Sequence, residues 1–213
     1  AGVIVEPVQG EGGVTPADPE FLAGLRALCD ETGALLIFDE VQCGLGRTGT
    51  LWAHEQYGVT PDVMTLAKPL AGGLPMGAIL LTQSVADAIV PGDHGSTFAA
   101  GPLVSAVAQA VLGQINTPQF LELVRANGRY LEERLRRDVA AGPLITEVRG
   151  RGMMWGLVSV PPAAEIVAQA RNHGLIILVA GPNVVRLLPP LTISRDEIDL
   201  LVERLAQTLS NFQ

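Results

Sequence analysis

Lys68 is the only lysine in this 213-residue chain, and every other basic side chain apart from three histidines is an arginine. The difference is chemical. An arginine stays protonated at any ordinary pH, whereas a lysine amine, with an unperturbed pKa of about 10.4, can be freed by burial or by a neighbouring cation. A freed amine attacks carbonyls and forms Schiff bases. A solvated lysine at a strand–loop junction is the plain alternative. Asp39 raises the same kind of question. It closes the apolar run "ALLIFD", and the carboxyl end of a buried strand is where open α/β sheets hold their ligands. A carboxylate there is costly unless it meets a cation. A protonated ring nitrogen of a cofactor would serve, and so would a structural arginine.

Those two side chains can cooperate only if the elements around them bring them to one sheet edge. Short apolar runs alternating with amphipathic segments predict an α/β protein whose strands are covered on both faces. Strands are expected at 2–6, 34–39, 62–67 and 76–82. A helix is expected over 19–32, with Asp18 as N-cap and Gly33 as the stop. Two more are expected over 102–115 and 120–139. Beyond them, short strands surround a helix at 163–173, and a helix over 195–209 closes the chain. Asp39 and Lys68 then end neighbouring strands. An aspartate to hold a pyridinium and a lysine to hold an aldehyde are the two requirements of pyridoxal phosphate chemistry.

Composition narrows the alternatives. A net charge of -8 argues against nucleic acid or an anionic membrane as partner, since neutralising phosphates takes clustered Lys and Arg. Arg134, Arg136 and Arg137 are interleaved with Glu132 and Glu133 and read as a solvated helix face. Cys29 and Cys43 form no C-x-x-C pair and are expected as reduced thiols. His54, His94 and His173 match no metal-ligand spacing, so no metal is assigned. No apolar run is long enough to span a bilayer. The chain opens on a strand-like run without an initiator methionine, which is expected of a piece of a longer protein.

Two nucleotide readings compete for "IFDEVQCGLGRTG". An apolar strand ending in Asp39-Glu40 resembles the metal strand of a P-loop nucleotidase, but that fold needs G-x-x-x-x-G-K-[ST], and Pro69 follows the sole lysine. Gly44, Gly46 and Gly49 spell G-x-G-x-x-G, yet two carboxylates precede them where a pyrophosphate would be repelled.

The stretches "EPVQGEGGV", "FDEVQCGLGRTG", "TLAKPLAGGLPMGA", "GDHGSTFAAGP", "VRGRGMMWGL" and "VVRLLPPLTIS" together, in this order, resemble the class III pyridoxal-phosphate aminotransferases, most of all their acetylornithine-type branch. The resemblance implies fold type I, with residues 1–116 the later portion of the large α/β domain and 117–213 the small C-terminal domain. It implies that Asp39 pairs with the pyridine nitrogen, Val41 lies on one ring face, Gln42 bonds the phenolic oxygen, and Lys68 holds the cofactor and shuttles the proton. Ser96 and Thr97 would reach the cofactor phosphate of a neighbouring subunit, which makes a homodimer; a helix N-cap ahead of Pro102 is the other use for these hydroxyls. Arg186 would clamp the substrate α-carboxylate, its alternative being a structural ion pair, and Glu11 would pair with Arg186 when no second carboxylate is bound. The implied reaction moves an amino group from N2-acetylornithine to 2-oxoglutarate, as in arginine biosynthesis. Ornithine, 4-aminobutyrate or a lysine precursor are the alternative donors, and a truncated non-catalytic binding relative is the alternative class. A cytoplasmic setting is implied, or an organelle matrix or stroma if a transit peptide precedes the chain. "FAAGP" departs from the family's Gly-Gly-Asn, and the family's earlier half, with its Gly-Thr phosphate loop and distal-carboxylate arginine, has no counterpart in the sequence. The isolated piece is therefore expected to be inactive.

Overall fold

A computed structural model describes residues 1–97 and 101–212. The "FAA" departure at 98–100 lies outside the described residues. The chain divides into two compact units: the first holds 1–7, 17–46 and 50–121, the second 8–16, 47–49 and 122–213.

The first unit carries a four-stranded sheet. Strands β1 (Gly2–Val5) and β4 (Leu35–Asp39) run parallel, β4 and β5 (Val63–Leu66) run parallel, and β6 (Ala78–Leu81) closes the order β1-β4-β5-β6 antiparallel to β5. Helix α1 (Pro19–Thr32) joins β1 to β4 as the crossover that a parallel pair requires. Its ends follow from local chemistry. The Asp18 carboxylate accepts the Glu20 N–H at 2.7 Å, Pro19 occupies the first turn where it sacrifices no intrahelical bond, and Gly33 stops the helix at φ 69°. The helix packs Leu22 and Cys29 on Leu36, Phe38 and Val59. A second core, on Met64, Leu66, Leu70 and Ala71, is covered by Ala108 and Ile115 of α3 (Pro102–Ile115). The short α2 (Gln83–Ala86) follows β6.

At the amino end of β5 sits an acid held through its Oδ2. Burial pushes the Asp62 carboxyl up, but the Leu36 N–H at 2.7 Å and the Arg26 guanidinium at 2.9 Å more than offset this and hold it below its usual range. Asp39 lies at the opposite, carboxyl end of the same sheet.

The second unit pairs β7 (Ile145–Arg151), β8 (Met154–Ser159), β10 (Val184–Leu187) and β9 (Leu178–Val179) in that order, all antiparallel. Helix α4 begins at Pro118 and ends at Arg134, followed by a π-turn over Leu135–Val139, so the helix expected over 120–139 changes its winding in the last five residues. Helices α5 (Ala163–Asn172) and α6 (Arg195–Ser210) complete the unit. Ser194 and Glu197 form a reciprocal capping box at the start of α6.

Two segments earlier in the chain belong to this second unit. Residues 8–16 form the hairpin β2 (Val8–Gln9) and β3 (Thr15–Pro16), which the Arg149 Nε ties down by donating to Gly13 O at 2.9 Å. Gly156 permits it: a Cβ there would stand 2.9 Å from the Val14 side chain. Arg47 donates to Met153 O at 3.1 Å and to Pro189 O at 2.6 Å. Burial lowers this guanidinium to about 10, so it remains a cation at neutral pH.

Candidate functional site

β4 and β5 are parallel neighbours, with Asp39 in register with Thr65. The chain leaves β5 at Leu66 and reaches Lys68 two residues later, so Asp39 and Lys68 stand at the same, carboxyl edge of the sheet. The Asp39 carboxylate is half-buried. Its Oδ1 accepts the Val41 N–H at 2.9 Å and the Thr65 hydroxyl at 3.2 Å, while Oδ2 takes no partner among the described residues. No arginine meets it among the described residues.

Lys68 is exposed. It makes no hydrogen bond or ion pair among the described residues. Its backbone is unusual, with φ at 25° in the left-handed region, directly before Pro69, inside a turn closed by Leu70 N–H to Ala67 O at 2.7 Å. A non-glycine residue held there costs roughly 1–3 kcal/mol, and such outliers gather at working sites.

One residue at this edge escaped the sequence reading. Glu40 is 1% exposed, yet its carboxylate is satisfied: Oε2 accepts the Ala53 N–H at 2.6 Å, and Oε1 pairs with the His54 N–H at 2.9 Å and the His54 Nδ1 at 2.8 Å. It thereby caps the 3-10 turn Ala53–Tyr57 and fastens the segment that follows Asp39. The signal was a second acid with no solvent face; the partners fourteen residues on carry no local pattern. Glu40 also explains the first glycine of "GLGRTG". A Cβ on Gly44 would lie 2.8 Å from the Glu40 Oε2 and 2.9 Å from its carbonyl oxygen. Gly46 and Gly49 take φ of 85° and 97° in a run of turns that opens no helix, so these glycines shape a loop.

Val41 and Gln42 follow Asp39 in the same turn, both half-buried. Ser96 and Thr97 are exposed, and neither hydroxyl is bonded among the described residues. They do not cap α3, whose N-cap is Gly101.

Arg186 and Glu11 come together within the second unit. Arg186, on β10, is buried, and its Nη1 donates to Glu11 Oε1 at 2.6 Å; the arginine side chain is 7% exposed and the glutamate 74%. Beside the arginine lies a cavity of about 360 Å³ with Ile177, Leu178 and Pro189 in its wall.

The model of the aminotransferase class-III family matches residues 1–209. The chain belongs to the class-III aminotransferases. It is 54% identical over 210 residues to a mitochondrial acetylornithine aminotransferase of Alnus glutinosa, covering 98% of this chain and 47% of the relative. It is 52% identical over 208 residues to a succinylornithine transaminase of Yersinia pseudotuberculosis, covering 96% and 50%. The crystal structure of N-acetylornithine aminotransferase from Stenotrophomonas maltophilia superposes with a TM-score of 0.91 at 40% identity, over 100% of this chain and 57% of that one. The chain thus spans about half the length of the curated relatives it matches.

Class-III aminotransferases depend on pyridoxal phosphate, and this chain's residues fit that group. The open Oδ2 of Asp39 is an acceptor at a strand end where a protonated ring nitrogen could be met, and the Lys68 amine, without a partner among the described residues, stands at the same edge.

Proposed function

We propose that the complete protein transfers the amino group of N2-acetylornithine to 2-oxoglutarate, giving N-acetylglutamate 5-semialdehyde and glutamate. The observation that carries this reading is the pair at one sheet edge: a carboxylate with one oxygen open and a lone primary amine, in a chain of this family. The two relatives above, named for acetylornithine and succinylornithine, support an N2-acylated ornithine as donor.

Lys68 Nζ would hold the cofactor at its aldehyde carbon and, once displaced by the substrate amine, carry the proton from the substrate Cα to that former aldehyde carbon. Asp39 would keep the ring nitrogen protonated, with Val41 against the ring and Gln42 on its phenolic oxygen. Bound pyridoxal phosphate supplies the electron sink that accepts the pair left at Cα. Arg186 would grip the substrate α-carboxylate with a planar fork of donors. Glu11, mostly solvated, can give way when an arriving substrate carboxylate replaces it as the counter-ion of the buried Arg186. Ser96 and Thr97, exposed and unbonded among the described residues, suit the phosphate of a partner subunit, which supports a homodimer. No described helix is long and apolar enough to cross a membrane. Cys29 and Cys43 are buried and form no disulfide among the described residues, in keeping with a reducing compartment: cytoplasm, or an organelle matrix or stroma.

The test is glutamate formation by the complete protein from 2-oxoglutarate with N2-acetylornithine, N2-succinylornithine, ornithine or 4-aminobutyrate as donor. Preference for the acylated donors supports the reading, and preference for free ornithine or 4-aminobutyrate overturns it. Residues 1–213 by themselves are expected to show no turnover in the same assay. Arg186→Lys loses the two-pronged grip, worth about 1.5–3 kcal/mol. We expect KM for glutamate to rise on the order of 10- to 100-fold with a smaller change in kcat, as steady-state kinetics would show.

A further inference from the structure

Strand β5 alternates core and outer positions: Met64 and Leu66 are buried in the core under α3, while Val63 and Thr65 face the other way, half-buried. For packing alone, position 65 would accept valine as readily as threonine, since both are β-branched and both favour strands. The hydroxyl therefore needs its own account. It donates to Asp39 Oδ1 at 3.2 Å across an in-register parallel pair. The same residue's carbonyl accepts the Glu40 N–H at 3.0 Å, so Thr65 grips both the side chain of Asp39 and the main chain just beyond it. The stiff χ1 of a β-branched residue keeps that donor in place. With the Val41 N–H already on Oδ1, the second donor fixes the carboxylate's rotation about its last bond and leaves Oδ2 as the oxygen free to accept.

We propose that Thr65 is a positioning residue for the cofactor: by holding Asp39 Oδ1, it presents Asp39 Oδ2 to the protonated pyridine nitrogen. This rests on the reading of Asp39 as the pyridoxal phosphate partner. Thr65 touches neither substrate nor cofactor in this role, so its effect must be selective. It should appear only with a ligand that has a ring N–H to offer, and it should vanish when that atom is replaced by carbon.

The experiment compares the complete wild-type protein with Thr65→Val and Thr65→Ser. It measures equilibrium dissociation constants for pyridoxal phosphate and for its analogue with a ring carbon in place of the pyridine nitrogen. Thr65→Val removes one donor while keeping the shape, so the melting temperature of the cofactor-free protein is expected to stay within about 2 °C of wild type. Affinity for pyridoxal phosphate should fall by about tenfold, which is about 1.4 kcal/mol, with the carbon analogue bound as before. Thr65→Ser, which restores the donor, should recover most of the loss. Equal weakening of both ligands, or unchanged affinity for pyridoxal phosphate, would overturn the role of Thr65 while leaving the cofactor reading intact. A wild-type protein that binds pyridoxal phosphate no better than the carbon analogue would overturn the Asp39 pairing itself, and the role of Thr65 with it.

Discussion

Lys68→Arg is expected to lower kcat/KM for transamination by at least about 10⁴-fold, since it removes both the nucleophile and the proton carrier. Arginine keeps the length and the charge but cannot be deprotonated, so it can neither bond the cofactor aldehyde nor take a proton from Cα. The fold should be indifferent to the change. Lys68 is exposed and has no partner among the described residues, and substitutions at such positions usually stay within about 0.5 kcal/mol. Single-turnover assays of the complete protein, alongside thermal melts, separate the two effects. Activity within tenfold of wild type would remove Lys68 from the chemistry.

Asp39→Asn should cost on the order of 10²–10³-fold in kcat, the scale seen when one preorganised electrostatic group is removed from a reacting centre. The amide oxygen can still accept from the Val41 N–H and the Thr65 hydroxyl, so the loop keeps its shape. Only the negative charge is lost, and with it the force that keeps a ring nitrogen protonated. Asp39→Asn should therefore bind pyridoxal phosphate more weakly than wild type and, at saturating cofactor, still lose rate, and Asp39→Glu, with charge but longer reach, should fall between. A fully active Asp39→Asn would show that the carboxylate serves the loop and not the ring.

How much of this was legible in the sequence differs from residue to residue. Helix α1 could be read to both ends because its signals are local: an aspartate cap, a proline in the first turn, and a glycine at positive φ. The placing of Lys68 and Asp39 at one sheet edge could be read because each ends an apolar run. The hairpin of β2 and β3 could not, since strands of two residues are too short to show a period. Its attachment through Arg149 spans well over a hundred positions. Glu40 and Thr65 were invisible for a related reason. Their roles depend on partners brought close by a turn and by the register of two parallel strands, and register is not written in either strand alone.

The central claim is that Lys68 is the residue that bonds the cofactor, and covalent mapping tests it most directly. The complete protein, loaded with pyridoxal phosphate, is reduced with borohydride, digested, and the modified peptide sequenced by mass spectrometry. The account predicts a single pyridoxyl label on Lys68 in the peptide spanning "TLAKPLAGG". A label on another amine, or none after loading, would contradict it.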